Sequence, residues 1–309
     1  MGKRPLDDFS HRLSWADLDP SWIERLIEMA SFEDLKGGGL ANIPSVTGDA
    51  TTQTVILPGG GGAKLMARQP MTVAGLPIVA MILDYYGKSL GSVTFRPAVT
   101  DAATLKPGEC LGELSGAKAT ILTAERVILN FLQHLTGIAT ETHRYTVALG
   151  DTTTRLLDTR KTTPGYRMLE KYAVACGGGW NHRLGLYDRI MLKDNHLAAE
   201  QANKGERLAA AVSTARAKRP DLGIEVEVDD LTQIPPVLDA GADVIMLDNF
   251  TNDQLTVAIS LIGDKSLTEA SGGITIERLP SLATLGLDFI STGATIHQAA
   301  WVDIGLDWQ

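Results

Sequence analysis

Residues 224–248 read IEVEVDDLTQIPPVLDAGADVIMLD. Ile224-Glu-Val-Glu-Val-Asp229 alternates apolar and acidic residues with period two, the pattern of a strand that turns Val226 and Val228 to one face and Glu225 and Glu227 to the other. A second apolar strand near 243–248 follows after a helical segment and ends in Asp248. Outward from this unit the alternation of short apolar strands with amphipathic helices repeats, with strands near 154–159, 189–194, 266–271 and 288–292. Strands separated by helices pair in parallel through right-handed crossovers. Arg160, Lys193, Asp248, Ser271 and Gly293 stand at the C-terminal strand ends, the rim where β/α barrels place their chemistry. The pattern predicts a β/α barrel rather than an open sheet, and six clear strands, short of eight, predict an incomplete one.

The first half reads differently. Trp22, Ile23, Leu26, Ile27, Met29 and Ala30 have helical spacing, opened by Asp19-Pro20-Ser21 and closed by Gly37-Gly38-Gly39. Residues 50–120 mix short β-branched runs (Thr54–Leu57, Val93–Pro97, Leu111–Leu114) with turn signals at Pro58-Gly59 and Lys106-Pro107-Gly108 and a helix at 76–86, an α+β unit. A long helix is expected over 122–149, with Thr123 as its cap and Glu125 and Arg126 in its first turn. The Gly59–Gly62 run ends in Ala63-Lys64, so it is no phosphate-binding GxxxxGK[ST] motif and reads as a flexible loop; no GxGxxG is present.

Composition bounds the function. The 309 residues are 44% hydrophobic with 37 acidic and 28 basic side chains, a net charge of −9, which excludes disorder, collagen and coiled coil. An acidic chain is no general nucleic-acid or anionic-membrane binder. The longest apolar run, Leu76 to Leu83, falls far short of the roughly 20 residues that span a bilayer. The chain opens without an apolar export segment, and Leu6 stands where a myristoylation motif needs Ser or Thr. Cys110 and Cys176 form no CxxC and no zinc set, which fits a reducing cytoplasm.

The positive charge is nevertheless concentrated. Residues 155–196 hold eight Lys and Arg against four acids, a net +4 in 42 residues, leaving −13 for the rest of the chain. Such focusing suits a small polyanionic substrate. Arg160 and Lys161 follow a strand in a loop with hydroxyls and a Pro-Gly turn, the Arg supplying a planar fork for a carboxylate or phosphate and the Lys a point charge. Lys193, at the end of a buried strand, needs a partner or a ligand, and the structural alternative is an ion pair with Asp194 or Asp248. Glu225, Glu227 and Asp248 beside a polyanion are reasonable if they hold Mg²⁺, ribose hydroxyls or the local cations, and the alternative is that they merely neutralise the cation cluster. Ser271-Gly272-Gly273 and Thr292-Gly293-Ala294 offer backbone amides that a phosphate can approach closely, and neither His182 nor His196 has metal-ligand spacing.

These motifs carry a resemblance. Leu157-Asp-Thr-Arg-Lys-Thr-Thr-Pro-Gly165, Glu170-Lys-Tyr-Ala-Val174, Cys176-Gly-Gly-Gly179, Asn181-His-Arg183 and Lys193-Asp-Asn-His196 are similar to those of the quinolinate phosphoribosyltransferases, also called carboxylating nicotinate-nucleotide pyrophosphorylases. Further matches are Gly48-Asp-Ala-Thr51, Ala74-Gly-Leu-Pro77, Thr123-Ala-Glu-Arg126, Glu225-Val-Glu-Val228, Leu247-Asp-Asn-Phe250 and Ser271-Gly-Gly273. The resemblance implies an α/β chain of the type II phosphoribosyltransferase class. Residues 1–127 would form an N-terminal α/β sandwich, 128–296 a barrel of about seven strands, and 297–309 a tail packing back on the first domain. It implies transfer of phosphoribosyl from 5-phosphoribosyl 1-pyrophosphate (PRPP) to quinolinate with Mg²⁺, releasing pyrophosphate and CO₂ and giving nicotinate mononucleotide in de novo NAD biosynthesis. By the same resemblance Arg160, Lys161, His182, Arg183 and Lys193 would bind quinolinate and Thr159 would touch substrate, with Arg126 donated across the interface of a dimer or hexamer. Glu227 and Asp248 would hold ribose hydroxyls and Mg²⁺, with Lys193 as a third catalytic group, and Ser271, Gly272, Gly273, Thr292, Gly293 and Ala294 would bind the 5-phosphate. Gln69-Pro70-Met71 and Trp180 depart from the family pattern.

Two rivals stand beside this expectation. A molybdenum-transport-associated paralogue of the same fold would diverge at the Lys193-Asp-Asn-His196 strand, and a non-catalytic pyridine-carboxylate binding protein could lose Glu227 and Asp248. This chain keeps all of these residues.

Overall fold

The computed structural model describes residues 2–55, 57, 59–193 and 205–309. In the first half, helices α1 (Pro20–Lys36), α2 (Leu76–Leu90) and α3 (Lys118–Leu149) alternate with strands β1 (Gly60–Ala67), β2 (Met71–Thr72), β3 (Val93–Pro97), β4 (Thr104–Leu105) and β5 (Cys110–Ala117). Then come β6 (Arg155–Leu157), α4 (Arg167–Cys176), β7 (Ile190–Leu192), α5 (Gly205–Lys218), β8 (Ile224–Val228), α6 (Ile234–Asp239) and β9 (Val244–Asp248). The chain closes with α7 (Asn252–Ile262), β10 (Leu267–Ser271), α8 (Leu279–Ala283), β11 (Phe289–Ser291), α9 (Ala294–His297) and β12 (Ile304–Trp308). Its contacts divide it into two units, one of Leu13–Glu141, Pro164–Gly178 and Ala299–Gln309, the other of Met1–Arg12, Thr142–Thr163 and Gly179–Gln298.

The first unit carries an antiparallel sheet of order β12-β1-β5-β3. The lead-in helix α1 forms as its sequence predicts: the Asp19 carboxylate accepts from the Ser21 N–H at 2.9 Å, Pro20 opens the first turn, and Gly37 at φ 71° ends it. Helix α2 is capped from a distance, its Gly75 and Leu76 N–H groups donating to Asp101 at 2.9 and 3.0 Å. Three local expectations fail. The glycine run is not a loop, because Gly60–Gly62 lie in β1 and pair with Ser115–Ala117; a Cβ on Gly61 would meet Lys118 and Trp308 side-chain atoms at 2.8 and 2.9 Å, so glycine is what lets the strand lie there. Thr54–Leu57 forms no strand among its described residues: a 3₁₀ turn over Thr52–Thr54 replaces it, while Ile56 and Pro58 lie outside the described residues. Thr123 caps nothing, since α3 begins at Lys118, and its hydroxyl donates instead to Asp49 at 3.0 Å.

The second unit is built on a parallel sheet of order β6-β11-β10-β9-β8-β7. Its outward residues Val226, Val228, Ile245, Leu247, Ala270 and Ile290 join one apolar core with Leu208 and Val212 of α5, Val237 of α6 and Leu255 of α7. Its inward face is less apolar, with Leu157, Val244, Leu267 and Phe289 clustered around Phe9 from the N-terminal segment. Phe9 is 1% exposed, a burial that contributes about 1.5–3 kcal/mol. Only glycine fits at Gly223, where a Cβ would lie 2.4 Å from the Phe9 ring. Beyond the six strands, the segment at Trp180 extends the sheet past β6: the Trp180 N–H donates to the Leu156 carbonyl at 2.8 Å and the Asp158 N–H to the Trp180 carbonyl at 3.0 Å. Trp180, one of the departures from the family pattern, meets two cations, with the Arg155 and Arg12 guanidinium carbons 3.8 and 4.7 Å from its ring centroid.

Candidate active site

The C-terminal ends of the parallel strands gather most of the candidate residues. After β6, buried Asp158 accepts the Asn181 side-chain amide at 2.8 Å and the His182 N–H at 2.9 Å, tying the Asn181-His182-Arg183 turn to the strand. Thr159 accepts the Lys161 N–H at 3.1 Å, which shapes the loop and leaves Arg160 half-buried and Lys161 exposed. Lys193 follows β7 and pairs with Glu227 of β8; Asp194, one of the two carboxylates weighed as its structural partner, lies outside the described residues. Register explains the pairing: Met191 lies opposite Glu225, so two residues on, Lys193 and Glu227 meet on the same inward face. Asp248 ends β9, half-buried, with one carboxylate oxygen accepting the Asn249 side-chain amide at 2.7 Å.

The late loops are tightly constrained. Gly272 and Gly273 both adopt left-handed backbone, with φ 78° and 58°, and a Cβ on Gly272 would lie 2.3 Å from Asn249 Oδ1 and 2.8 Å from Asp248 Oδ1. A Cβ on Gly293 would lie 2.8 Å from Lys161 Cδ and 3.2 Å from Thr159 Oγ1, so the loops after β6 and β11 approach closely. Ser271 accepts the Ser291 hydroxyl at 3.1 Å. The Thr292 and Ala294 amides are engaged internally, to the Leu157 carbonyl at 3.0 Å and the Thr292 hydroxyl at 3.2 Å.

Below this rim lies a buried ionic floor. Nε2 of His182 stands 3.2 Å from Glu225, 3.5 Å from Glu269 and 3.4 Å from the Arg189 guanidinium, which itself donates to Glu225 at 2.9 Å. Side chains on β8 and β10, separated by β9, can both reach one imidazole only because the sheet curls. Burial opposes a charge on His182, but the Glu225 and Glu269 carboxylates outweigh it and raise the affinity of the ring for protons. Nδ1 accepts the Arg183 N–H at 2.7 Å, which places the proton on Nε2. Burial and the neighbouring Arg160 cation both lower the pKa of the Arg183 guanidinium, a sign that the cations crowd one another.

Sequence reasoning counted Arg189 in the charge cluster without a role and weighed Glu225, with Glu227 and Asp248, as a holder of Mg²⁺, ribose hydroxyls or the local cations; it missed Glu269 altogether. The alternation Leu267, Glu269, Ser271 carried the signal, since it sets Glu269 on the same face as the two residues at either side. Arg126 is exposed on α3 in the antiparallel-sheet unit. Asp194, Asn195 and His196 lie outside the described residues.

Two family models match the chain: quinolinate phosphoribosyl transferase, N-terminal domain, over residues 49–136, and the corresponding C-terminal domain over residues 138–307. The chain is 41% identical over 261 residues to the probable nicotinate-nucleotide pyrophosphorylase (carboxylating) of Bacillus subtilis strain 168, covering 84% of this chain and 88% of that one. It is 39% identical over 265 residues to the nicotinate-nucleotide pyrophosphorylase (carboxylating) of Mycobacterium leprae, with 84% and 90% covered. The solved nicotinate-nucleotide pyrophosphorylase of Francisella tularensis superposes with a TM-score of 0.83 at 33% identity, covering 95% of this chain and 98% of that one. NadC from Streptococcus pyogenes gives a TM-score of 0.84 at 37% identity over 95% and 99%. Because the likeness runs through both sheets and includes the cation-rich rim of the parallel one, the chain belongs to the quinolinate phosphoribosyltransferase family.

Proposed function

We propose that this protein transfers phosphoribosyl from PRPP to quinolinate with decarboxylation, giving nicotinate mononucleotide, pyrophosphate and CO₂. The observation that carries the reading is the rim itself: Arg160, Lys161, Arg183 and Lys193 follow strand ends or their connecting turns, with the Glu227 and Asp248 carboxylates on the same face. Quinolinate is a dianion and PRPP carries several more negative charges, so a neutral substrate would leave this cation set unexplained.

The chemistry asks little covalent work of the protein. Arg160, Arg183 and Lys193 bind the two carboxylates and orient the pyridine nitrogen against C1 of the ribose, removing much of the entropic barrier. The nitrogen lone pair forms the new N–C1 bond as the C1–O bond to pyrophosphate breaks, and Glu227 and Asp248 stabilise positive charge on the ribose. Lys193 is drawn between Glu227 and the substrate, a shared ion pair in place of the closed one seen here. The C2 carboxylate then leaves as CO₂, its bonding electrons held beside the quaternised ring nitrogen until a proton replaces it. The left-handed Gly272-Gly273 turn supports a 5-phosphate site, and the engaged amides of Thr292 and Ala294 leave Gly293 as the close-approach point of the other loop.

Glu227 and Asp248 suit Mg²⁺: both are hard oxygen donors at the ends of adjacent strands, and a magnesium site takes one or two carboxylates, with water and phosphate completing the shell. When bound, the ion would neutralise the pyrophosphate leaving group. Asp248→Asn should flatten the dependence of rate on Mg²⁺ concentration, and an unchanged titration would reject that role. Gly272→Ala should raise KM for PRPP by about tenfold or more, because a methyl group there displaces the Asp248 carboxylate.

Arg126 completes the quinolinate pocket from a second copy in a homo-oligomer, dimer or hexamer, a role its exposure leaves it able to take. The enzyme works in the cytoplasm; Cys110 and Cys176 form no disulfide, and among the described residues no helix is long and apolar enough to cross a membrane. The test is an assay with PRPP, Mg²⁺ and either quinolinate or nicotinate, following mononucleotide and CO₂. Product with CO₂ from quinolinate only supports the reading. Product from nicotinate redirects it to the non-carboxylating reaction, and inertness toward both favours the molybdenum-transport-associated paralogue or a pyridine-carboxylate binding protein.

A further inference from the structure

Glu269 is fully buried on the inward face of β10, and among the described residues neither of its carboxylate oxygens has a hydrogen-bond partner. Its nearest basic group among the described residues is His182, whose Nε2 stands 3.5 Å away, outside hydrogen-bonding geometry. A buried carboxylate in that condition is costly, and an apolar residue of similar size would serve the core better. Its neighbours show what it does. Nε2 of His182 is bracketed by Glu225 and Glu269, while Nδ1 is engaged by the Arg183 N–H at 2.7 Å. The ring is therefore fixed at both nitrogens, and the residue bonded to it carries a guanidinium that belongs to the rim.

We propose that Glu269 is a positioning residue for quinolinate: together with Glu225 it brackets His182 Nε2, and so sets the Asn181-His182-Arg183 turn in the orientation that presents Arg183 to the substrate. The inference rests on the reading of Arg160 and Arg183 as the quinolinate-binding cations. Two negative charges beneath Arg160, Arg183 and Arg189 also offset the mutual repulsion of these cations before the dianion arrives, a part that Glu225 alone, already paired with Arg189, would leave incomplete. The same three side chains, His182, Glu225 and Glu269, have the makings of a metal site, but the Arg189 guanidinium stands 2.9 Å from Glu225 and 3.4 Å from Nε2 and is itself the cation of the cluster.

The test is steady-state kinetics on Glu269→Gln, with Glu269→Met as a second variant of similar size, alongside thermal melts and elemental analysis for bound transition metal. For Glu269→Gln, KM for quinolinate should rise about tenfold while KM for PRPP stays within about twofold and kcat within about threefold. The melting temperature should be no lower than that of the parent, because a buried carboxylate that accepts no hydrogen bond has been replaced by a neutral group. Glu269→Met should give the same quinolinate-specific rise. A purely structural residue would instead lower the melting temperature and shift both KM values together, and that result overturns the proposal. So does a stoichiometric metal present in the parent and lost from Glu269→Gln. Arg183→Gln separates the two levels of inference: a raised quinolinate KM there beside an unchanged one in Glu269→Gln removes Glu269 only, whereas unchanged values in both overturn the pocket reading and this role with it.

Discussion

Lys193→Ala is expected to lower turnover of quinolinate by at least about two orders of magnitude in a protein that still folds, the scale of losing one preorganised electrostatic contact. The side chain sits at the hinge of the site's charge balance. It leaves β7 on the inward face, remains 38% exposed toward the rim, and closes on Glu227, whose own exposure is 12%. Without the ammonium, the dianion would meet Glu227 and Asp248 with one fewer cation between them, and the repulsion would fall on the step in which the ring nitrogen must close on C1. Because the pair is only partly buried, its removal should cost little stability, and circular dichroism with a thermal melt would show the fold intact. Arg160→Ala should lose activity on the same scale through the loss of a fork that lysine cannot reproduce. Near-parental turnover in either variant would take that residue out of the site.

How much of this was legible in the chain depends on the range of the forces involved. The strand over Ile224–Val228 and its two faces follow from period-two alternation, and the capped helix α1 follows from Asp19-Pro20 and Gly37; both are local effects written within a few residues. The fate of the glycine run at Gly60–Gly62 was not local. It depends on β5 and β12 arriving on either side, more than fifty and more than two hundred residues away, and on Trp308 lying where a Cβ would be. Glu227 as a partner of Lys193 was hidden for a similar reason: the two lie 34 residues apart, and only the β7–β8 register brings them together. The ionic floor needed three separate segments to converge: the alternation over 224–229 announced Glu225, and the same signal around Glu269 went unread. The family resemblance supplied the rim residues and His182, but not the carboxylates and the guanidinium that surround that imidazole.

Glu225→Gln should do the opposite of Glu269→Gln to stability. Glu225 is fully buried but paired, to Arg189 at 2.9 Å and to His182 at 3.2 Å. Removing the carboxylate leaves the buried Arg189 guanidinium without its counter-charge, at a cost of about 3–5 kcal/mol. That is a large part of the about 5–15 kcal/mol that holds a typical domain together, so a fall of many degrees in melting temperature is expected. The acid side gives the sharper signature. Burial favours the neutral acid, yet His182 and Arg189 overcome it and hold the Glu225 carboxyl well below its ordinary value of 4.5. A depressed folded-state pKa means that the contribution is fully present above about 4.5 and is lost as pH falls through the lower folded value. Melts recorded from pH 7 down to pH 3 should therefore show a steeper decline below pH 4.5 in the parent than in Glu225→Gln, which begins lower and changes less. Parallel curves would mean that Glu225 is not the group whose protonation opens the floor. Set beside an unchanged or raised melting temperature for Glu269→Gln, the contrast would separate two carboxylates on one imidazole: Glu225 holds the barrel together, and Glu269 is kept at a cost to stability for the sake of the turn above it.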